Sequence, residues 1–382
     1  RFYFSVKKKE IQRQLKLKEK ENSVTCPICG EKFMSINESH IKFAHGMEWE
    51  KFKSLYPNCK IISDNLSEIN SVNFKIGNLI VSKKRFISNY ERELHEFLDN
   101  YGVEYNANRQ MLIGREIDIL IEQKKIGIEF DGLKYHTEFF GHKRHNYHLD
   151  KTLECNRKGY GLIHIFEDEY VNHKELVLEK LKHILHIGIG EKQKIYGRSC
   201  EIKEIFKSEA ELFLEKYHIQ GFNSSSVYLG AFYKDELIGV MTFKNGGLSH
   251  SDWELTRFAT NFNYIYSGVG GKLFSHFIRE YNPNTVYSFA DRRWTVSKDD
   301  NLYTKLGFTL NSETPPDYSY YNDRVAKYRR FHKFGFSKRV LHKKYGFPLT
   351  MTETEMTREL GYDRIWNCGL FKYVWRRENA ND

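Results

Sequence analysis

Residues 116–131 read Glu-Ile-Asp-Ile-Leu-Ile-Glu-Gln-Lys-Lys-Ile-Gly-Ile-Glu-Phe-Asp, and their alternation constrains the fold more than any other stretch. Apolar residues recur at every second position, which predicts two half-buried strands joined by a turn at Gln123 and Lys124. With that turn, Asp118 lies directly opposite Glu129. Opposed side chains share one sheet face, with Cβ atoms about 4.5–5.5 Å apart. Glu116 and Asp131 fall on the same face.

This acidic face predicts a metal site. Clustered carboxylates repel one another unless a cation lies between them. Mg²⁺ or Mn²⁺ held by Asp118 and Glu129 resolves the conflict, because hard cations prefer oxygen ligands. The alternative is a solvated acidic strand face. Because the turn lacks Asn-Gly or Asp-Gly, a slip of one residue in the register would undo the pairing.

Basic charge is concentrated in two segments. The chain has 60 Lys and Arg against 50 Asp and Glu, a formal net charge of +10. Residues 1–20 carry eight basic and two acidic residues, and residues 324–350 carry nine basic and no acidic residue. Such blocks favour a polyanion, and we expect double-stranded DNA and no membrane. The alternative for the second block is a solvated basic helix around a small core. The expected phosphate contacts are Arg329, Arg330, Lys333, Lys338, Arg339, Lys343 and Lys344.

Two cysteines and two histidines near the N-terminus have the spacing of a zinc site. Cys26, Cys29, His40 and His45 spell C-x2-C-x10-H-x4-H, which places two thiolates and two imidazoles around one tetrahedral Zn²⁺. Metal binding would supply the folding energy of so small a unit. The alternative is two unrelated thiols and two surface histidines. The stretch resembles the C2H2 fingers of prokaryotic and phage DNA-binding proteins. The six cysteines in all form no disulfide framework, so we expect a reducing cytoplasm, with the chain on the nucleoid.

The centre of the chain resembles a nuclease family. Helical spacing over residues 88–102, the hairpin, and a helix and strand after it predict the order αβββαβ. With Ile117-Asp118-Ile119, Gly127-Ile-Glu129-Phe-Asp131-Gly132 and His136, this order resembles the PD-(D/E)XK superfamily, and more closely its Vsr-like branch and the EDxHD homing endonucleases. The superfamily's lysine position holds Asp131, and His136 matches a histidine of the Vsr-like branch.

That resemblance implies a Mg²⁺-dependent DNA endonuclease of the homing type. The metal would polarise the phosphate and activate a water molecule. The implied catalytic residues are Glu93, Asp118, Glu129, Asp131, His136 and Lys151. His136 would act as acid or base, and Lys151 would stabilise charge, although a lysine that touches only backbone phosphates is as good an interpretation. A double-strand break would require a homodimer or two successive nicks.

The following hundred residues resemble the GNAT acetyltransferase fold. A helix, three strands and Ser267-Gly-Val-Gly-Gly271 before an apolar helix carry the likeness. In that family the glycine turn binds the pyrophosphate of acetyl-CoA, and helix N-termini do attract phosphate. The family's Gln or Arg position is Ile265 here. The turn could instead hold a DNA phosphate, or only let a helix and a strand pack.

The sequence therefore predicts an α/β multidomain protein. We expect a basic segment at 1–22, a zinc finger at 23–60, a linker at 61–82 and the nuclease core at 83–188. A GNAT-like domain at 200–323 and a basic DNA-binding extension at 324–382 complete the chain. The alternatives to an endonuclease are a DNA-binding regulator with an inert nuclease fold and a DNA-associated acetyltransferase.

Overall fold

The computed structural model describes residues 23–33, 35–63, 88–112, 115–188, 190, 192–246 and 252–377. The predicted basic segment 1–22 and most of the predicted linker 61–82 lie outside these residues. The chain divides into two compact units, Arg1–Ser88 and Asn89–Asp382. Helices and strands alternate through the second unit, so the predicted mixed α/β class is confirmed.

The first unit is a small fold of two short strands and two helices. Strands β1 (Val24–Thr25) and β2 (Lys32–Phe33) pair antiparallel, and helices α1 (Glu38–His45) and α2 (Trp49–Leu55) follow. The Asn37 side chain caps α1 by accepting the backbone N–H of His40. The buried core is formed by Val24, Cys26, Ile36, Ile41 and Phe52. So few apolar side chains cannot hold a fold of this size by burial alone.

The second unit begins with a first lobe, residues 89–188. Its four-stranded sheet has the order β3-β4-β5-β6, in which β5 and β6 run parallel and the other pairs are antiparallel. Strand β6 is buried along its whole length because helices cover both faces of the sheet. Helices α3 and α6 pack on one face and α4 on the other. The elements are α3 (Asn89–Asn100), β3 (Asn106–Leu112), β4 (Arg115–Ile121), β5 (Ile126–Asp131), α4 (Tyr147–Arg157), β6 (Gly161–Phe166), α5 (Glu167–Asn172) and α6 (Lys174–Leu185).

The second lobe, residues 192–377, contains the remaining elements. They are β7 (Lys194–Tyr196), β8 (Glu201–Glu204), α7 (Lys207–Tyr217), β9 (Val227–Tyr233), β10 (Glu236–Asn245), β11 (Asp252–Thr260), β12 (Ile265–Ser267), α8 (Val269–Tyr281), β13 (Thr285–Asp291), α9 (Leu302–Lys305), β14 (Thr309–Glu313), β15 (Tyr318–Tyr321), β16 (Arg330–His332), α10 (Lys338–Tyr345), α11 (Glu353–Glu359), β17 (Asp363–Trp366) and β18 (Leu370–Arg376). Among the described helices of the protein, none has both the length and the apolar character needed to cross a membrane.

A seven-stranded sheet organises this lobe, in the order β14-β18-β13-β11-β10-β9-β8. Helix α8 packs on one face through Leu273, Phe274 and Phe277, and α7 packs on the other. Strand β18 lies between β13 and β14, so the end of the chain completes the sheet. The predicted boundary at residue 324 therefore does not coincide with a structural boundary, because the segment after it returns to the central sheet.

The two lobes pack closely within the second unit. Trp294, from the loop after β13, is buried in the apolar core of the first lobe. Gly161, at the start of β6, sits against Val296, and a Cβ atom added at Gly161 would lie 2.4 Å from that side chain. Arg293 is 5% exposed and forms ion pairs with Glu169 of the first lobe and Asp291 of its own. The contact thus combines apolar burial with paired charges.

Candidate functional site

The β4–β5 hairpin has the register expected from the sequence. Ile119 lies opposite Ile128, which makes Asp118 and Glu129 neighbours on adjacent strands. The Asp118 carboxylate accepts the backbone N–H of Phe130 at 3.0 Å. Glu129 Oε1 accepts the backbone N–H of Asp118 at 3.2 Å. Each acid is therefore bonded to the backbone of the strand opposite.

Glu129 also forms a buried pair with Lys151 of α4. Lys151 Nζ lies 2.5 Å from Glu129 Oε2, and the two side chains are 4% and 6% exposed. Burial, together with the negative charge of Asp118, raises the pKa of Glu129 to about 8. A carboxyl group that keeps its proton at neutral pH and contacts an ammonium group is a poor ligand for a hard cation. The Mg²⁺ or Mn²⁺ site expected at Asp118 and Glu129 stays a prediction that these contacts weaken.

Three further side chains converge beside this pair. Asp131 ends β5, His136 ends the short turn Leu133–His136, and His148 lies on the first turn of α4. His136 Nδ1 is 2.8 Å from His148 Nε2 and 3.1 Å from Asp131 Oδ1. His148 Nε2 lies 3.8 Å from the same carboxylate oxygen. The donor set of two imidazoles and a carboxylate is one that could hold a metal ion.

Burial and neighbouring charges set the protonation of this cluster. Burial lowers the pKa of His136 to about 4 and that of His148 well below the usual imidazole value, so both rings are neutral at pH 7. Although burial opposes it, the surrounding imidazoles hold the pKa of Asp131 far below its usual range. Asp131 Oδ2 contacts His164 Nδ1 at 2.9 Å. Burial lowers the pKa of His164, but Cys368 and Asp131 raise it well above its usual value.

Glu93 belongs to a different set of contacts. Its Oε2 accepts hydrogen bonds from the Tyr170 hydroxyl at 3.2 Å and from Lys174 Nζ at 2.7 Å. These partners lie on α5 and α6. Among the described contacts, none joins Glu93 to Asp118 or Glu129. The structure thus brings together Asp118, Glu129, Asp131, His136 and Lys151, but not Glu93.

Sequence reasoning missed two members of the cluster. His148 was visible as a helical histidine near Lys151, but nothing in the spacing linked it to Asp131. His164 was also missed, although a histidine inside the buried strand Leu-Ile-His-Ile-Phe is a signal, since a buried polar group requires a partner. That partner is Asp131, on the adjacent parallel strand.

The predicted zinc ligands lie together in the first unit. Cys26 Sγ is 3.5 Å from His45 Nε2, and Cys29 Sγ is 3.6 Å from His40 Nε2. The two imidazole Nε2 atoms are 3.2 Å apart, and all four ligand atoms lie within 4.8 Å of one another. Burial raises the pKa of the Cys26 thiol, but backbone hydrogen bonds lower it to about 6, which favours the thiolate that binds metal. Bound zinc itself stays a prediction.

The predicted DNA-contacting residues divide into two groups, apart from Arg329, whose guanidinium lies over the Phe331 ring at 5.1 Å. Arg330 is bonded to Asp168 at 2.9 Å and to Glu169 at 2.8 Å, and Lys333 lies 2.6 Å from Asp317. Those two cations are neutralised within the protein. The basic residues of α10 have no ion pair among the described contacts, and that helix contains no acidic residue. They are Lys338, Arg339, Lys343 and Lys344.

Strands β11 and β13 separate beside the glycine-rich turn. They pair in parallel only from Asp252 to Glu254, opposite residues 285–287. One residue after the last backbone pair, Ser288 Oγ donates to the Leu255 carbonyl at 2.7 Å. Both strands continue after this contact. Each strand remains paired on its other side, to β10 and to β18. The central sheet therefore opens between its two parallel strands.

The N-terminus of α8 lies beside β11, since a Cβ atom added at Gly270 would be 3.2 Å from the Phe258 ring. Gly268 is exposed at φ 76°, a left-handed conformation that favours glycine, and no acidic residue occupies the first turn of α8. A Cβ atom added at Gly268 or Gly271 would meet no atom within 4 Å, so the turn faces open space. The N–H groups at a helix start have no acceptor within the helix, and they favour an anion.

A basic groove of about 510 Å³ follows the side of α8. Lys272 Nζ donates to the backbone carbonyl of Cys200, which fastens α8 to the turn Gly197–Ser199. The groove contains Glu201 as its acidic residue, and its basic residues are Arg198, Lys272, His276 and Arg279. Arg279 is paired with Glu280 at 2.9 Å, so the charges complementary to an anionic ligand are those of Arg198 and Lys272.

The chain matches no protein family model, and no curated protein matches it. Solved structures do match. A GNAT family acetyltransferase from Elizabethkingia anophelis is 13% identical over 47% of this chain and 99% of its own, with a TM-score of 0.27. An acetyltransferase from Bacillus subtilis is 14% identical over 47% of this chain and 99% of its own, with a TM-score of 0.28. The ribosomal-protein-S18-alanine N-acetyltransferase from Escherichia coli is 13% identical over 48% of this chain and 97% of its own, with a TM-score of 0.28. At these values the likeness decides nothing about what this chain binds.

These matches include no support for the identification of the chain as an EDxHD homing endonuclease, and we withdraw that identification. The structures named above are acetyltransferases, and none of them is a nuclease. The expectation of Mg²⁺-dependent phosphodiester hydrolysis has no support among these structures and is withdrawn with it. The contacts of Glu129 agree with this correction, because Lys151 Nζ lies 2.5 Å from its Oε2 and already occupies that oxygen. The likeness of the second lobe to the GNAT fold is the part of the resemblance that the matches support.

Proposed function

We propose that the second lobe binds a CoA thioester and that the protein is an acyltransferase. The observation that carries this proposal is the separation of β11 from β13 beside the start of α8. An extended pantetheine arm fits between two separated strands, and a pyrophosphate fits the N–H groups of Val269, Gly270 and Gly271. The basic groove along α8 suits the remaining phosphate.

A tyrosine stands where the thioester would react. Tyr303 of α9 donates its hydroxyl to the carbonyl of Phe289 at 3.4 Å, on the part of β13 that has separated from β11. Burial raises the pKa of Tyr303, so it keeps its proton at neutral pH. In acyl transfer a nucleophile attacks the thioester carbonyl, the C–S bond breaks, and the sulfur leaves as a thiolate. Tyr303 would protonate that thiolate, and the phenolate so formed would take up the proton that the nucleophile releases.

Calorimetric titration of the full chain with acetyl-CoA tests binding. We expect a dissociation constant of about 1 μM to 1 mM, the usual range for enzyme substrates. Arg198→Ala should weaken binding about tenfold, since a hydrogen bond to a charged group contributes about 1.5–3 kcal/mol. Lys203→Ala, on β8 and outside the groove, is the matched control. Absence of binding at millimolar acetyl-CoA would refute the proposal.

The role of Tyr303 separates binding from chemistry. Tyr303→Phe keeps the ring that stacks on Tyr373 at a centroid distance of 5.1 Å. Acetyl-CoA affinity should therefore be unchanged. The rate of thiol release in the presence of an acceptor should fall about 10²-fold, as expected for loss of a general acid. An unchanged rate would remove Tyr303 from the mechanism.

Binding to double-stranded DNA is a second candidate function, and α10 favours it. Four basic side chains on one eight-residue helix, without an acidic residue, form a surface suited to phosphates. These contacts would position the protein without reading sequence. We propose α10 as the DNA-contacting element, in place of the wider set that includes Arg330 and Lys333.

A further inference from the structure

One carboxylate oxygen in the first lobe lacks the partner that its burial demands. Asp131 is 0% exposed, and its Oδ1 accepts no hydrogen bond among the described residues. The atoms nearest to it in the cluster are His136 Nδ1 at 3.1 Å and His148 Nε2 at 3.8 Å. A buried anionic oxygen without a hydrogen bond costs several kcal/mol unless a cation compensates it.

The two imidazoles leave lone pairs at the same point. His136 Nδ1 and His148 Nε2 are 2.8 Å apart, so at most one hydrogen fits between them. The two nitrogens and the carboxylate oxygen are three electron-pair donors, and at most one proton lies among them. A single shared hydrogen satisfies one pair of atoms and leaves Asp131 Oδ1 without a hydrogen bond, while His164 contacts only the other oxygen, Oδ2.

We propose that Asp131, His136 and His148 form a three-ligand site for a divalent transition-metal ion, of the class of Zn²⁺ or Co²⁺. Ligands about 2.05 Å from a tetrahedral ion are ~3.3 Å from one another. The observed separations of 2.8, 3.1 and 3.8 Å bracket that value. Two imidazole nitrogens with one carboxylate oxygen suit these borderline ions better than Mg²⁺, which prefers oxygen ligands.

A second layer of contacts orients the ligands. His164 Nδ1 holds the other oxygen of Asp131 at 2.9 Å, and His164 Nε2 contacts Thr152 Oγ1 at 3.0 Å. Thr152 in turn donates to the backbone carbonyl of His148 at 2.9 Å. Asp131 is thus linked through the buried side chains of His164 and Thr152 to α4, the helix that carries His148. Such outer contacts fix the direction of metal ligands.

The site is open on one side. Asp131 and His148 are each 1% exposed, whereas the His136 side chain is 15% exposed. Three protein ligands with access to solvent leave a fourth position for water or an anionic ligand. The site lies in the first lobe and does not depend on the proposed acyl transfer in the second.

Cobalt titration of the full chain tests this site. The Cys26/Cys29/His40/His45 cluster is first loaded with one equivalent of Zn²⁺, and Co²⁺ is then added. We expect one further equivalent to bind with d–d absorption bands and without a thiolate charge-transfer band. The thiolate band would mark Co²⁺ in the cysteine cluster instead, and its presence as the only cobalt signal would overturn the proposal.

Two substitutions and a matched control complete the test. Asp131→Asn keeps the side-chain shape and should abolish the d–d bands. His164→Ala should weaken Co²⁺ binding by about 10–100-fold, the usual effect of losing an outer-layer partner. His145→Ala removes an exposed histidine of the same segment and should leave binding unchanged. Circular dichroism checks that each variant is folded. Cobalt bands that persist in folded Asp131→Asn would refute the assignment.

Discussion

Replacing Lys151 with methionine should destabilise the protein far more at pH 9 than at pH 5. Lys151 is the cation that partners Glu129, 2.5 Å away and almost fully buried. Methionine fills a similar volume but leaves the carboxyl group without a charged partner. The loss in the free energy of unfolding then depends on whether Glu129 is ionised in the folded state.

The sign follows from the raised pKa of Glu129. Burial and Asp118 move that pKa from 4.5 to about 8, so the folded state retains a proton that the unfolded state releases. The resulting stability is fully present below pH 4.5 and is lost as the pH rises through about 8. At ~1.4 kcal/mol for each pKa unit, that loss is about 5 kcal/mol in the wild-type protein. The positive charge of Lys151 lowers the pKa of Glu129, so its removal raises that pKa further.

Urea unfolding followed by tryptophan fluorescence measures the effect. At pH 5, where Glu129 is protonated, Lys151→Met should change the free energy of unfolding by only about 1 kcal/mol. At pH 9 the loss should reach about 3–5 kcal/mol, as for a broken buried pair. Glu129→Gln is the control, because an uncharged amide removes the dependence on pH over this range. An equal loss at both pH values in Lys151→Met would refute the reasoning.

Three other expectations concern separate parts of the molecule. A chelator, or Cys26→Ser, should remove Zn²⁺ and unfold residues 23–63 while the second unit stays folded; hydrogen exchange checks this, and protection of residues 23–63 that survives zinc loss would contradict it. Lys343→Ala should weaken binding to double-stranded DNA and reduce the salt slope by about 0.9, whereas Arg330→Ala should lower the unfolding midpoint instead; fluorescence anisotropy at several salt concentrations separates them, and an unchanged slope for Lys343→Ala would count against α10. In Gly197→Ala the new Cβ would lie 2.4 Å from the Gly268 carbonyl oxygen, so the start of α8 must shift and acetyl-CoA binding should fall, while the exposed Gly335→Ala should bind normally in the same titration.

Local patterns in the sequence were sufficient for the hairpin. Alternation located β4 and β5, and the register expected from a turn at Gln123 and Lys124 is the observed one. The turn itself is a short 3-10 segment, Glu122–Lys124, closed by Lys125 at φ 52°. This turn lies outside the paired residues of the two strands, so it does not change the register that places Asp118 opposite Glu129. Period-two patterns fix which face a side chain occupies, and that is a local property.

Contacts between distant segments were not predictable in the same way. The chain forms α5 and α6 with a break at His173, and neither Gly nor Pro marks that break in the sequence. Arg330 was expected to meet DNA because it lies in a basic run. Its carboxylate partner Asp168 is 162 residues away, and only tertiary packing brings the two together. The protonation of Glu129 likewise depends on α4 covering the sheet.

Hydrogen exchange of the full chain, with and without saturating acetyl-CoA, tests the proposed acyltransferase function most directly. We expect slower exchange at the amides of Val269, Gly270 and Gly271, because the pyrophosphate would accept their hydrogen bonds. The backbone of β11 beyond Glu254 should gain protection as well. Exchange that is unchanged in both segments would contradict the claim that a CoA thioester binds where β11 and β13 separate.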